Sequence, residues 1–172
     1  MSFHSYTIDG YGIEITSYTD KINAKSFVET LRSAPVTLAR VKDYLLTLEP
    51  ESNSDVSRGV DEILDELTTF SNDELVKRLE DYEADDYFVS GISAVIAEAM
   101  SEDENIPFTL CDDFYGNAYI LIEPSYPWTD ISAKEKALTK EYLDTLFTNW
   151  VSALCGTEIS VKVDYQSVEN GG

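Results

Sequence analysis

Residues 87–100 form the most apolar stretch of the chain, and they constrain the fold more than any other segment. Glu98 is the one charged residue among these fourteen. The apolar side chains that recur along the stretch at helical spacing are Phe88, Val89, Ile92, Val95, Ile96 and Met100. A helix that is apolar nearly all round needs neighbours on every side. We therefore expect a buried central helix with the rest of the chain packed around it.

Helical patterns also precede this stretch. The predicted elements are a helix capped by Asn23 or a neighbour, a helix over 37–48, a helix over 55–70 and a short helix for which Ser71 and Asn72 offer a cap. The helix over 55–70 has the clearest period, with Val56, Val60, Ile63, Leu64 and Leu67 on one face. Helices are therefore expected to fill most of residues 23–100.

Strand patterns lie near both ends of the chain. Gly10 and Gly12 predict the turn of a first hairpin, and residues 113–116 separate two strands of a second, over 108–112 and 117–123. Strict alternation over 158–166 predicts a half-buried strand. The tail 167–172 is expected to be frayed.

One more helix is predicted between the second hairpin and the last strand. Ser132 and Glu135 form a capping box at its start, and it continues through Trp150 to Gly156, which ends it. Because strands and helices are segregated along the chain, we expect an α+β fold. A single domain over 1–172 would hold about five strands, in a small and mainly antiparallel sheet, and about six helices, one central and buried.

The negative charge is concentrated in one third of the chain. Residues 49–104 contain 18 acidic and three basic residues, and so carry −15 of the net charge of −21. On the helix over 55–70, Asp61 lies four residues before Asp65, and Glu62 lies four residues before Glu66. Like charges at this spacing destabilise a helix by a few tenths of a kcal/mol per pair. The run 80–86 then adds five acids without a base.

Three interpretations of this acidic segment are open. It can be a solubilising face, a salt adaptation, or a docking surface for a basic partner. Salt adaptation would spread acidic residues over the whole surface, whereas this sequence concentrates them in residues 49–104. On the docking interpretation the partner-binding residues are Asp61, Glu62, Asp65, Glu66, Glu80, Asp81, Tyr82, Glu83, Asp85 and Asp86. Tyr82 would be an aromatic anchor, as would Tyr87 and Phe88 unless these two pack in the core.

A second interaction site is predicted at the aromatic loop around Pro127. Tyr126 and Trp128 flank this proline, which limits the entropy lost on binding. The competing interpretation is that Trp128 fixes the loop to the end of the sheet. A net charge of −21 argues against nucleic acid or an anionic membrane as a direct partner.

Catalytic and metal motifs are weak in this sequence. Cys111 precedes Asp112 and Asp113, whose carboxylates would raise the pKa of its thiol, and the only histidine is His4. Asp112, Asp113 and Asn117 surround a glycine turn but do not match the calcium-loop spacing, so ordinary turn chemistry is favoured. We therefore assign no catalytic residue, no metal site and no cofactor.

The sequence has two cysteines, Cys111 and Cys155, and they are not spaced like metal ligands. This pattern is typical of free thiols in a reducing compartment. Neither a signal peptide nor a stretch long enough to span a membrane is recognisable. The expected location is therefore the cytoplasm.

In its acidic helix and its 80–86 run, which lie within about a third of the chain, this protein resembles one class of small acidic inhibitors. These are phage and mobile-element proteins, including anti-CRISPR and anti-restriction proteins, that imitate nucleic acid. The resemblance implies a non-catalytic protein that occludes a basic, nucleic-acid-binding surface of a defence nuclease. One alternative is an accessory or scaffold domain that uses the aromatic loop or a homodimer face. The other is an enzyme with Cys111 as its nucleophile.

Overall fold

A four-stranded antiparallel sheet and eight helices make up the described part of this protein, so the predicted α+β fold is confirmed. The computed structural model describes residues 5–49, 60–85, 87–125 and 127–171. The strands are β1 (Ser5–Glu14), β2 (Thr109–Asp112), β3 (Ala118–Ile122) and β4 (Asp164–Gly171). The helices are α1 (Thr16–Thr19), α2 (Ala24–Leu31), α3 (Pro35–Thr47), α4 (Val60–Leu67), α5 (Asn72–Arg78), α6 (Ile92–Glu104), α7 (Ala133–Lys136) and α8 (Lys140–Cys155).

The sheet has the strand order β2-β3-β1-β4, and it curls. β2 and β4 are the two ends of this order, yet Asn170 of β4 donates a hydrogen bond to Asp112 of β2 at 2.7 Å. The buried side chains of Cys111, Leu121 and Val168 form a small apolar cluster separate from the main core. The hairpin predicted over 108–123 is confirmed as β2 and β3.

The predicted first hairpin is wrong, because its two glycines lie inside one continuous strand. β1 pairs with β4 along 5–12 and with β3 along 11–14. A Cβ atom on Gly12 would lie 1.9 Å from the carbonyl oxygen of Ile120, and one on Gly10 would lie 2.5 Å from that of Ile122. Glycine is needed here for close backbone approach rather than for a turn. The sheet therefore has four strands in place of the five expected.

The C-terminal strand also lies later than predicted. β4 begins at Asp164, and the tail expected to be frayed pairs with the N-terminal half of β1 up to Gly171. The alternating residues before it are extended but are not part of the sheet. Among them Val161 and Val163 are buried, as the alternation predicted.

Side chains of α8 take the place of a neighbouring strand along residues 159–163. The hydroxyl of Ser152 accepts from the N–H of Ile159 at 2.9 Å and donates to its carbonyl at 3.1 Å. Thr148 makes the same two bonds to Val161. The N–H of Val163 donates to Asp144 Oδ1 at 2.7 Å. The backbone groups of residues 159, 161 and 163 that face α8 are thereby hydrogen-bonded without a sheet partner.

The predicted central helix is confirmed as α6, in which Ala94, Val95, Ile96 and Ala97 are completely buried. It begins at Ile92 rather than at residue 87, because Gly91 has a φ of +93° and interrupts the helical backbone. Residues 87–90 therefore do not follow the helical period. Phe88, which was expected either in the core or as an anchor for a partner, is fully exposed.

Local capping signals located most of the other helices. Asn23 caps α2, and Ser71 forms a capping box with Glu74 at the start of α5. The helix predicted from the Ser132 capping box is two helices, because α7 ends at Lys136 and Thr139 caps the new start of α8. Gly156 ends α8 in a left-handed conformation, as predicted. Of the helix predicted over 55–70, residues 55–59 lie outside the described residues.

A carboxylate from the far end of α6 caps α3. Ala34 precedes α3 and has no side chain that can accept a hydrogen bond. Glu102 accepts from the N–H of Val36 and from the N–H of Thr37, each at 2.8 Å, and from the Thr37 hydroxyl at 2.9 Å. Burial alone raises the pKa of Glu102, but these hydrogen bonds outweigh it and lower the pKa below its usual value.

In the ranges described above, no helix has the length and apolar character that crossing a membrane requires.

Replacing Glu102 by alanine should remove the cap of α3. We expect Glu102→Ala to lower the free energy of unfolding by about 1–2 kcal/mol, because two helix N–H groups lose their acceptor. Urea denaturation at neutral pH measures this loss. Since the folded pKa is lowered, the stabilisation is present at neutral pH and disappears as pH falls through that pKa. The matched control is Asp103→Ala, and an equal loss in both variants would contradict the capping role.

Adding a methyl group at position 12 should separate β1 from β3. We expect Gly12→Ala to lower the free energy of unfolding by about 2–3 kcal/mol or more, because the new Cβ would overlap the carbonyl of Ile120. Urea denaturation monitored by circular dichroism is the measurement. Thr7→Ala, at an exposed position of the same strand, should lose less than about 1 kcal/mol. Comparable stability of the two variants would contradict the close-approach argument.

Candidate interaction surface

The exposed carboxylates of α4 lie opposite its buried face. Ile63, Leu64 and Leu67 are buried, whereas Asp61, Glu62 and Asp65 are exposed and Glu66 is half-buried. This is the arrangement that the helical period predicted. Acids spaced four residues apart on this outer side are neighbours at about 5–6 Å between Cβ atoms.

The segment 80–85 presents its carboxylates to solvent, and from Asp81 to Asp85 exposed and buried residues alternate. Exposed acids occupy four of its six positions: Glu80, Asp81, Glu83 and Asp85. Tyr82 and Ala84 between them are buried. The carbonyl of Tyr82 accepts from the N–H of Gly91 at 2.8 Å, which ties the segment to the start of α6. Asp86, the last predicted acid of the run, lies outside the described residues.

Tyr82 is a core residue rather than an aromatic anchor for a partner. Only 2% of it is exposed, and its ring meets that of Tyr44 edge-on at 5.5 Å. Its hydroxyl donates to Glu98 Oε2 at 2.5 Å. Burial, followed by the hydrogen bond to Glu98, raises its pKa. No ring face is left for a partner, which corrects the expectation for this residue.

Basic residues of α3 neutralise part of the acidic segment. Arg40 lies 2.9 Å from Asp85 and also donates to Glu98. Lys42 lies 3.9 Å from Asp61. These pairs are largely exposed, so each stabilises the fold by at most about 1 kcal/mol. Each pair offsets the charge of one predicted partner-binding residue, although the carboxylates of Asp61 and Asp85 stay exposed.

Five of the predicted acids remain exposed and without an ion pair in the described part of the chain. These residues, called the five unpaired acids below, are Glu62, Asp65, Glu80, Asp81 and Glu83. α4, which carries the first two, packs against α3. The segment that carries the other three also reaches α3, through Asp85 and Tyr82. The five therefore belong to elements that border the same helix.

The second predicted site is described only in part. Trp128 is 81% exposed, which suits contact with a partner, and Tyr126 lies outside the described residues. The turn between β2 and β3 carries two further exposed aromatic residues, Phe114 and Tyr115, that the sequence analysis did not single out. Their position at the tip of a predicted hairpin was the available signal.

Asp113 uses both carboxylate oxygens to hold that turn. Oδ1 accepts from the N–H of Tyr115 at 2.8 Å and of Asn117 at 2.9 Å, and Oδ2 accepts from the Asn117 side chain. The side chain of Asn117 is the largest cause that lowers the pKa of Asp113. Turn chemistry thus accounts for these residues. Over the described ranges, no three His, Cys, Asp or Glu residues are grouped so that they could hold a metal ion.

Cys111 lies in a poor environment for a nucleophile. Its side chain is 3% exposed, in the small cluster with Leu121 and Val168. Burial raises the pKa of the thiol to about 12, and the charge of Asp112 adds to the shift. The reactive thiolate is therefore scarce at neutral pH. His4, the only histidine of the sequence, lies outside the described residues.

Comparison with known proteins gives no relative of this chain. No family model matches it, and neither does any curated protein or solved structure.

Cys111 should resist alkylation in the folded protein. We expect iodoacetamide at neutral pH to leave it unmodified over a period that fully modifies the urea-unfolded chain, because the thiol is both buried and protonated. Mass spectrometry of the peptides measures the modification, with Cys111→Ser as the blank. Rapid stoichiometric alkylation of the folded chain at Cys111 would favour the enzyme hypothesis instead.

Proposed function

We propose that this protein is a non-catalytic binder that occupies a basic, nucleic-acid-binding surface of another protein, such as a defence nuclease, and blocks it. The supporting observation is the set of five unpaired acids, which are exposed and have no ion pair in the described residues. The mechanism is steric and electrostatic occlusion, with no chemical turnover. Lysine and arginine side chains that normally contact phosphates would contact these carboxylates instead.

Electrostatics supports a macromolecular partner of this kind. A net charge of −21 attracts a basic surface over about one Debye length, roughly 10 Å at 0.1 M salt. Such attraction raises the association rate and makes it fall with ionic strength. On α4 the exposed acids Glu62 and Asp65 are neighbours, with Cβ atoms about 5–6 Å apart, so negative charges lie close together as they do along a nucleic-acid strand. The charge, its exposure and its spacing thus favour the same class of partner.

The residues expected to contact a partner are not equally available. Tyr82 is buried, and Asp61 and Asp85 are paired with bases of α3. The five unpaired acids are therefore the residues to change first. The competing interpretation is a solubilising face, and it makes the opposite prediction. On that interpretation, neutralising the same number of acids anywhere on the surface would change partner capture equally.

Neutralising the five unpaired acids should abolish partner capture. The test variant is Glu62→Gln, Asp65→Asn, Glu80→Gln, Asp81→Asn and Glu83→Gln together. A matched control neutralises five exposed acids elsewhere and has the same net charge: Asp130→Asn, Glu141→Gln, Glu158→Gln, Asp164→Asn and Glu169→Gln. Immobilised proteins are incubated with nuclease-treated bacterial lysate at low salt, and the bound proteins are identified by mass spectrometry.

We expect the wild type and the control to capture nucleic-acid-binding proteins that added duplex DNA or high salt releases. The test variant, in which the five unpaired acids are neutralised (the five-acid variant), should capture at least about tenfold less. Each lost charge contact weakens binding and reduces its salt dependence. Equal capture by both variants would show that the acidic surface is not the interface. Captured proteins that DNA cannot displace would contradict occlusion of a nucleic-acid site.

A further inference from the structure

A groove between α2 and α8 lies outside the acidic surface considered so far. It has a volume of about 390 Å³, and the end of α6 contributes to its wall. Glu29 and Ser33 line it from α2 and the turn that follows, Asp103 and Glu104 from α6, and Tyr142 and Trp150 from α8. Its volume falls at the lower end of the range for ligand pockets, about 300–1,000 Å³.

Three carboxylates give the groove a negative charge that the described residues only partly offset. Glu104 accepts from the indole N–H of Trp150 at 3.2 Å and lies 3.6 Å from Lys134. Glu29 and Asp103 form no ion pair with any described residue. Burial raises the pKa of Asp103, and the charge of Glu104 raises it further. The charge of Lys134 and a side-chain hydrogen bond from Ser33 act in the opposite direction on Asp103 and lower its pKa. Glu29 thus has no positive partner among the described residues, and Asp103 is only partly compensated.

The backbone adds negative potential at the same place. α2 ends at Leu31 and α6 ends at Glu104, and the groove includes residues from the last turn of each helix. A helix C-terminus carries a partial negative charge of roughly half an electron. Neither last turn contains a basic residue, and Arg32, which follows α2, does not line the groove. Lys134 donates to the backbone carbonyl of Glu104 and so already offsets part of the negative potential at the end of α6. The end of α2 and the carboxylates of Glu29 and Asp103 therefore favour a cation.

The other wall of the groove, formed by α8, combines aromatic and apolar side chains with the polar Thr145 and Asn149. Tyr142 is 43% exposed, and Leu146 and Trp150 line the groove while being almost fully buried. An aromatic face attracts a cation within about 6 Å, and an apolar wall suits the methylene stem of a long basic side chain. A guanidinium group combines a planar face for stacking with paired donors for carboxylates, which an ammonium group does not offer.

We propose that the α2–α8 groove receives an arginine side chain, with its guanidinium between Glu29 and Asp103 and its stem along the α8 wall. The inference rests on the proposed function only for the source of that arginine, a basic partner protein. A divalent metal ion fits less well, because no metal-binding group of three His, Cys, Asp or Glu occurs among the described residues. The groove would then be a second contact on this protein, apart from the five unpaired acids.

The test uses the isolated protein and small probes. Uniformly ¹⁵N-labelled protein is titrated with N-acetyl-arginine amide, and with N-acetyl-citrulline amide as the neutral probe of the same shape. The indole N–H of Trp150 reports on the groove, because it bonds to Glu104. The indole of Trp128, which is exposed and does not line the groove, is the internal reference. Trp128→Phe assigns the two signals.

We expect a saturable shift of the Trp150 signal with a Kd in the millimolar range, about 1–10 mM, for the arginine probe alone. Asp103→Asn and Glu29→Gln should each raise this Kd at least about threefold. The control Glu141→Gln removes an exposed charge on α8 that does not line the groove, and should leave the Kd unchanged. The lysine probe N-acetyl-lysine amide should bind more weakly than the arginine probe.

Several results would overturn the inference. These are the absence of a saturable shift at Trp150, equal shifts with citrulline, equal binding of lysine, or equal weakening in Glu141→Gln and Asp103→Asn. The five-acid variant separates this inference from the proposed function. It should bind the probe like the wild type even if its partner capture is lost. Loss of probe binding in that variant would mean that long-range charge, rather than the groove, attracts the arginine.

Discussion

The carboxylates of Glu98 and Glu102 join the core of this protein to its acidic part. They lie four residues apart on α6, the most buried helix. Glu102 caps α3, and Glu98 accepts from Arg40 of α3 and from the hydroxyl of Tyr82. A carboxylate can be held at a buried helix only when such partners compensate its lost hydration. The position of α3, and of the exposed acids next to it, therefore depends on two acids that are not available to a partner.

The acidic residues of this chain consequently have two different uses. Glu98, Glu102 and Glu104 hold elements of the fold together, although Glu102 and Glu104 lie where acids oppose the helix dipole. The five unpaired acids have no such internal partner among the described residues. Composition cannot separate these two uses, because it counts a carboxylate that holds the fold together and an exposed carboxylate alike. Only the contacts of each carboxylate show which acids are left for binding, and that selection determines which variants are informative.

Local signals predicted the helices better than the strands. Asn23, Ser71 and Gly156 act on their own neighbours, so the sequence alone located the helix ends that they define. Gly10 and Gly12 were misread because a glycine permits both a turn and a close approach, and the approach of β3 comes from residues more than a hundred positions away. The same difference between local signals and contacts from distant residues applies to the interaction surface. Helical period placed the exposed acids of α4, whereas the burial of Tyr82 depends on α3 and α6.

The hydrogen bonds from α8 to residues 159–163 join a helix to an extended chain, and these two structures repeat over different lengths. Four residues of a helix advance about 6.0 Å, whereas two residues of a strand advance about 6.6 Å. Asp144, Thr148 and Ser152 therefore drift by about 0.6 Å per step against the extended chain. The three residues span two steps, and a third step would bring the accumulated offset to about 1.8 Å, which is enough to break hydrogen-bond geometry. The chain has by then reached Asp164, where β1 supplies a partner of equal repeat and pairing continues to Gly171.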